Sequence, residues 1–538
     1  MAAPIPLSRG RVKDPLLLEM NRRVRRALID RDRHKVRLED CNRYTMPWRH
    51  QFDDRSGLRS QRPDLDVIFD ETIGCVLEDF AADMLNTFTP QKNDWLSEKP
   101  TEYLDAGDAN RIREPLAKRQ RIVFAEMARS NLYQALQESY LDLGPGTMAL
   151  LIMDIDIAQP IHCEAIPTPD LLITRGPYGY VDGIFRRRMY FGEEIAELWP
   201  DADTRELKTR PAAADETSEE YEVTDGCWRN WSERGAESYH YAVACRGALI
   251  YHRAYLGAGS CPFIVARWAR DSTTAWGMGP TYRTLPAIKT VNHFNYLSLK
   301  NYDRFVDPPG TYEDDGVLNF DSGIVPGRMH PRAPGSKPPE AYESKGRLDL
   351  QAFEINEKRS VIRRAHYQDK PEQLGKTPPT ATQWADERAE RARRMGSPAT
   401  NLVMELQIPI YRRFVHLLDA RGVLPQVTID GRVVALEPIS PLLRAQEQEE
   451  VIRLDRFAEM IGARFGPQIA LIVINVVKYA HRLAELLGVD PDLLRDENQI
   501  AGAIEQLMPV LKNFAGAGVG GETAPPPIGA ISPGGAVQ

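Results

Sequence analysis

Trp276-Gly277-Met278-Gly279-Pro280 runs into a long amphipathic segment that closes at Phe305-Val306-Asp307-Pro308-Pro309. Glycines interrupt whatever precedes, proline suits a first helical turn, and a proline pair ends the pattern because neither residue has an amide hydrogen to give. The spacing predicts a helix of about 25 residues over 281–307. Its neighbours fix the reading. A Pro/Gly-containing excursion follows at 308–347, then a basic helical stretch at 348–367, then a polar loop with Lys370 and Lys376 at 368–380. Thr380-Ala381-Thr382-Gln383 opens a third, heavily charged helix, which Gly396-Ser397-Pro398 should break or kink. An apolar continuation (Leu402, Val403, Leu406, Ile410, Phe414, Leu417, Leu418) carries it to Gly422.

Outward from this centre, residues 14–46 show Leu17, Val24, Leu28 and Val36 among alternating charges, the pattern of a solvated surface or bundle helix closed by Pro47. Over 65–88, Ile68, Ile73, Val76, Leu77, Phe80, Met84 and Phe88 recur at helical spacing and predict one buried face. Ser130-Asn131-Leu132-Tyr133 opens a short helix that Gly144-Pro145-Gly146 stops. The period then changes to two. Strands are expected at 148–155, 171–174, 180–190, 219–224, 239–245, 248–252 and 263–268, without alternating helices, so the class reads as α+β and the pattern argues against a doubly wound nucleotide fold. Val427–Ala435 reads as a hairpin about Asp430-Gly431. Helices are expected at 441–462, 467–487 and 498–512, and the Gly/Ala/Pro tail 513–538 reads as disordered.

The length of 538 residues suggests three or four cores. Apolar residues make up 42% and charged residues 27%, as in ordinary globular proteins, and no apolar run is long enough for a membrane span. No secretory h-region stands at Met1–Arg9, so synthesis in a cytoplasm is the expectation. Six scattered cysteines without metal spacing read as structural thiols. A net charge of −8 argues against a tight nucleic-acid binder.

Catalytic patterns are weak. Gly375-Lys376-Thr377 would be a phosphate loop only with glycine at 370, where Lys370 stands. The pairs Asp154/Asp156, Asp64/Asp66 and Asp314/Asp315 lack supporting His or Glu and read as turn or surface charges. No zinc-hydrolase or nucleophile-elbow spacing occurs. Arg186-Arg187-Arg188 reads as solvated surface or an inter-subunit ion pair. No catalytic residue, metal or cofactor is expected.

The order helix, excursion, helix, loop, helix resembles the core of the head-to-tail connector, or portal, proteins of short-tailed tailed phages. Local sequence is similar too: W-G-x-G-P at Trp276–Pro280, L-P-x-I-K-x-x-N at Leu285–Asn292, V-D-P-P at Val306–Pro309, D-D-G-V-L at Asp314–Leu318 and R-G-V-L-P at Arg421–Pro425. The resemblance covers roughly 15–510. It implies a multidomain, ring-forming α+β portal fold with long stem helices, a mixed α/β wing and clip, and a helical crown.

The implied parts are wing 1–280, stem helices 281–307 and 348–367, clip 308–347, channel loop 368–380, long kinked wing helix 381–425 and crown 426–512. The implied assembly is a homo-dodecamer at one capsid vertex of the virion, passing double-stranded DNA without sequence preference. The implied partners are terminase, a tail adaptor, and the major capsid and scaffolding proteins. Lys358, Arg359, Arg363, Arg364, Lys370 and Lys376 are the DNA-channel candidates. For the helical four, attraction to phosphates and inter-helix salt bridges both stay open. Val317, Leu318, Phe320, Ile324 and Val325 are the candidates for contact between clips. The alternative is a non-portal virion component, such as a tail or minor capsid protein; a DNA-packaging enzyme would need the phosphate loop that is missing.

Overall fold

Two packed sheets between layers of helix organise the larger of two compact units, which runs to Leu442. The computed structural model describes residues 14–49, 65–101, 106–154, 161–205, 207, 219–306, 310–313, 329–332, 348–369, 394–425, 434–438, 451–464, 479 and 483, without 234, 236, 452 and 462. In chain order its elements are α1 (Pro15–Thr45), a 3-10 turn (Leu65–Val67), α2 (Thr72–Phe88), β1 (Leu96–Pro100), α3 (Ala106–Arg129), α4 (Leu132–Leu143), β2 (Thr147–Met153) and β3 (His162–Ala165). Next come β4 (Leu171–Arg175), β5 (Val181–Phe191), α5 (Gly192–Leu198), β6 (Glu220–Arg229), β7 (Ser238–Cys245), β8 (Ala248–Leu256) and β9 (Phe263–Arg267). The remainder are α6 (Pro280–Val306), β10 (Gly310–Glu313), β11 (Met329–Arg332), α7 (Leu348–Ala365), α8 (Gly396–Leu402), a π turn (Val403–Gln407), α9 (Ile408–Ala420) and β12 (Val434–Pro438).

The five strands β4 to β8 form an antiparallel meander, and β3-β2-β9 a second antiparallel sheet. Alternation along each strand builds the layers, because successive side chains point to opposite faces. Met148, Leu150 and Ile152 of β2 face a helical core with α2, α3, α4 and α9, whereas Ala149 and Leu151 face the larger sheet. In that sheet Ile184, Cys227, Tyr241 and Val243 point inward; Phe185, Trp228 and Ala242 point outward to α1. The α+β expectation thus takes the form of a helix–sheet–sheet–helix sandwich.

α1 is a covering helix: Leu17, Met20, Val24 and Ala27 are buried at alternating three- and four-residue steps, while Val36 is exposed. Gly396-Ser397-Pro398 coincides with an interruption: Arg394 is helical, Met395 is a turn, and a new helix, α8, starts at Gly396 with Pro398 in its first turn, where no intrahelical donor is needed. A second irregularity, the π turn, follows just before Pro409 in the first turn of α9. β12, in the stretch expected as crown, pairs antiparallel with β1 from the far N-terminal side. Within the expected clip, β10 and β11 pair in parallel, Gly310 opposite Met329. The first hairpin arm 427–429, the tail 513–538, Val317, Leu318, Phe320, Ile324 and Val325 lie outside the described residues. In the second unit, the described residues between 451 and 464 are helical.

The π turn aims Glu405 into the interior, where Arg267 of β9 meets it. Arg267 is fully buried; its Nε and its backbone amide both donate to Glu405 Oε2 at 3.1 Å, and a further guanidinium nitrogen reaches Oε1 at 2.5 Å. The same guanidinium donates to the carbonyls of Ala275 and Gly179, each at 3.4 Å. Removing one partner strands a buried charge. Glu405→Ala is expected to lower unfolding free energy by about 3–5 kcal/mol, whereas Arg267→Met combined with Glu405→Leu should recover most of it. Urea melts of the two variants check this; equal losses would show that the pair is not the cause.

Candidate functional site: the paired long helices

α6 starts where two turns interlock. Gly144-Pro145-Gly146, which ends α4, lies against Gly277-Met278-Gly279: the Gly279 amide donates to the Pro145 carbonyl and the Thr281 amide to that of Gly144, both at 3.0 Å. The Gly277 amide donates to Thr147 Oγ1 at 2.8 Å. A Cβ on Gly277 would run into the Gly146 carbonyl, and one on Gly279 into that of Gly144. Gly146 itself has φ +136°, open only to glycine. Trp276 is buried between the sheets, and Asp30 of α1 accepts from Thr274 Oγ1 (3.1 Å) and the Ala275 amide (3.0 Å). The W-G-x-G-P stretch is therefore a backbone-to-backbone joint that sets where α6 begins and how it leaves the sandwich.

The L-P-x-I-K-x-x-N residues do the docking that follows. Leu285 and Ile288 are buried, with Ile288 and Val291 packed against Ile73 and Val76 of α2 and Ile355 and Ile362 of α7. Lys289 pairs with Asp40 of α1. The Asn292 amide grips the turn before α2 from both sides: its oxygen accepts from the Phe69 amide at 2.7 Å and its nitrogen donates to the Val67 carbonyl at 2.9 Å. Asn295 adds a bond to the Phe69 carbonyl at 3.1 Å, and the rings of Phe69 and Tyr296 lie 4.9 Å apart. α7 returns alongside. Thr281 meets His366 just past the end of α7, while Asn292 and Arg359 both reach the 67–70 turn, so the two helices run antiparallel.

His366 is the buried pin of this pair. Its Nδ1–H donates to the Ile362 carbonyl at 2.8 Å, which leaves Nε2 to accept from Thr281 Oγ1 at 2.8 Å. Burial pushes its pKa from 6.5 down to about 4. Tyr367 follows at φ +60°, a left-handed end that turns the chain out of α7, with its ring 5.8 Å from that of Trp268. The far half of the pair is different. Leu299 and Tyr302 on α6 and Phe353 on α7 are 50–69% exposed.

Of the DNA-channel candidates, Arg359 is half-buried and pairs with Asp70 at 2.6 Å, an ion pair within the chain. Lys358, Arg363 and Arg364 are exposed and enter no ion pair among the described residues; Lys370 and Lys376 lie outside them. Arg186–Arg188 are not solvated as a group. Arg186 is buried, with Nε 3.1 Å from Asp225 and a second nitrogen 2.6 Å from Glu164, and Arg187 pairs with Glu222. Desolvation would lower the Arg186 pKa, but the two carboxylates outweigh it and raise it well above the ordinary value. Asp154 pairs with Arg421. Among the described residues no three His, Cys, Asp or Glu side chains gather as a metal site, all six cysteines are free, and no helix is long and apolar enough to cross a membrane. Sequence reasoning missed His366 and Asp70 as fixtures of the pair; Asn292 stood in a quoted motif, but its role as a clamp needed the fold.

A family model described as bacteriophage head to tail connecting protein matches residues 18–494. A probable portal protein of Bordetella phage BPP-1 is similar to this chain, 23% identical over 451 residues that cover 81% of each.

Because the folded chain excludes a proton that the unfolded chain takes up at His366, stability should be insensitive to this residue above pH 6.5. It should fall as pH drops from 6.5 toward 4, by about 3 kcal/mol in full. Urea midpoints at pH 7.5 and 4.5 should differ less in His366→Gln than in the parent; an unchanged difference would remove His366 as the source.

Proposed function

Since the chain belongs to the family of bacteriophage head to tail connecting proteins, we propose that it is a portal: a closed ring of twelve copies at one capsid vertex, through which double-stranded DNA enters and leaves. The observation that carries this reading is the two-ended character of α6 and α7. One end is bolted to the sandwich through Asn292, Lys289–Asp40 and His366, and the other presents Leu299, Tyr302 and Phe353 outward. Neighbouring copies in a ring would cover those side chains through a heterologous interface that closes on itself. At 27 residues α6 is about 40 Å long, enough to reach through a capsid shell.

A net charge of −8 suits a conduit, since each tight phosphate contact would hold the DNA back. Contact with DNA falls to Lys358, Arg363 and Arg364 on α7 and to Lys370 and Lys376 in the 368–380 loop; Arg359 drops out of that set because Asp70 neutralises it. The excursion 308–347 serves as the clip, with Val317, Leu318, Phe320, Ile324 and Val325 against the adjacent clip, and docks terminase and then the tail adaptor. Capsid and scaffolding proteins meet the ring from the wing side. The role is structural, with hydrolysis of ATP left to the packaging motor.

Negative-stain images of the purified protein should show rings with twelvefold symmetry and a central hole. Leu299→Asp with Tyr302→Asp should shift the protein to monomers of unchanged circular dichroism; rings that persist would sink the interface assignment. Deleting 368–380 should leave rings intact while heads lose packaged DNA, and heads that keep a full genome without it would count against the loop's role.

A further inference from the structure

A cleft of about 450 Å³ lies between α1 and the β4–β5 end of the larger sheet, away from α6 and α7. Arginines outnumber aspartates in its lining by four to two, and the aspartates are already engaged. Asp30 accepts from Thr274 and the Ala275 amide. Asp182 accepts from Thr174 Oγ1 at 3.0 Å and from Arg23 and Trp231 Nε1, both at 3.3 Å. Arg22 and Arg26 are exposed and have no ion pair among the described residues. Leu18 and Ile29, both exposed, lie one turn before and about one turn after them, so α1 presents an apolar–Arg–Arg–apolar row.

The rim is aromatic. Tyr178, 74% exposed, stands 5.6 Å from the ring of Trp231, and the Arg229 guanidinium lies 4.7 Å from Trp231's centroid. Large aromatics ordered by mutual contact yet open to water, beside uncompensated arginines, have the composition of the residues that dominate protein–protein binding. We propose that this cleft docks an acidic peptide segment of another protein, its carboxylates on Arg22 and Arg26 and an apolar side chain against Tyr178 and Trp231. A nucleic acid fits less well. Asp30 and Asp182 sit in the lining, and a phosphate backbone calls for an extended basic track, where this cleft offers Arg22 and Arg26 side by side and an Arg175 that donates to the Ser272 carbonyl. The inference does not rest on the ring.

The test is fluorescence anisotropy of a fluorescein-labelled peptide of Glu-Glu-Phe repeats against the full-length protein, with oligothymidylate and inorganic phosphate as competitors. Expected are saturable binding that weakens with added salt, at least a roughly tenfold loss in Arg22→Ala with Arg26→Ala, and retention in Trp231→Phe, with the thermal midpoint unchanged in both variants. Arginine variants that bind as the parent does would overturn the proposal, as would no binding by the parent. Displacement by oligothymidylate at lower concentration than by unlabelled peptide would overturn it too, and would assign the cleft to nucleic acid.

Discussion

The buried pair between Arg267 and Glu405 is the constraint on which the rest of the described structure depends. Taking two opposite charges out of water costs several kcal/mol for each ion, and geometry returns that only if every donor and acceptor is matched. Here the match includes segments from all along the chain: β9 supplies the arginine, the π turn the carboxylate, the Trp276 stretch and the β4–β5 turn a carbonyl each. None of these can shift without unpairing a buried charge. The π turn gains its reason from this, since one extra residue in the turn rotates the helix enough to aim Glu405 at β9 while α9 still buries Ile410, Phe414 and Leu417.

From that anchor follows the aim of the long helices. Arg267 lies beneath the residues whose glycines interlock with Gly144–Gly146, so the direction of α6 is fixed at its first turn, by backbone against backbone, where no side chain can rotate to relieve an error. His366 closes the pair at the same end. Stiffness is thereby concentrated where the helices leave the sandwich, and apolar side chains farther along stay exposed.

The polar interior also corrects a habit of reading. A run of three arginines in a strand looks solvated because arginine is seldom buried. Alternation turns Arg186 inward, and Asp225 from β6 with Glu164 from β3 waits there, each placed by strand register. The arginines of α1 divide in the same way: Arg31 donates to the Pro169 carbonyl inside, while Arg22 and Arg26 face a cleft.

Much was legible in the residues alone. Periodicities of two and of 3.6 located most strands of the sandwich together with α2, α4 and α6, because they reflect burial on one face and burial is local to each element. The quoted motifs identified the family, since glycine at 277 and 279 and asparagine at 292 are residue types whose jobs allow little exchange. What only tertiary structure decided was partnership: β12 against β1, Arg267 against Glu405, Arg359 against Asp70, His366 against Thr281. A sequence pattern shows that a residue will be buried or charged. Which distant group satisfies it depends on the register and direction of separate elements, and these are set only when the whole chain packs.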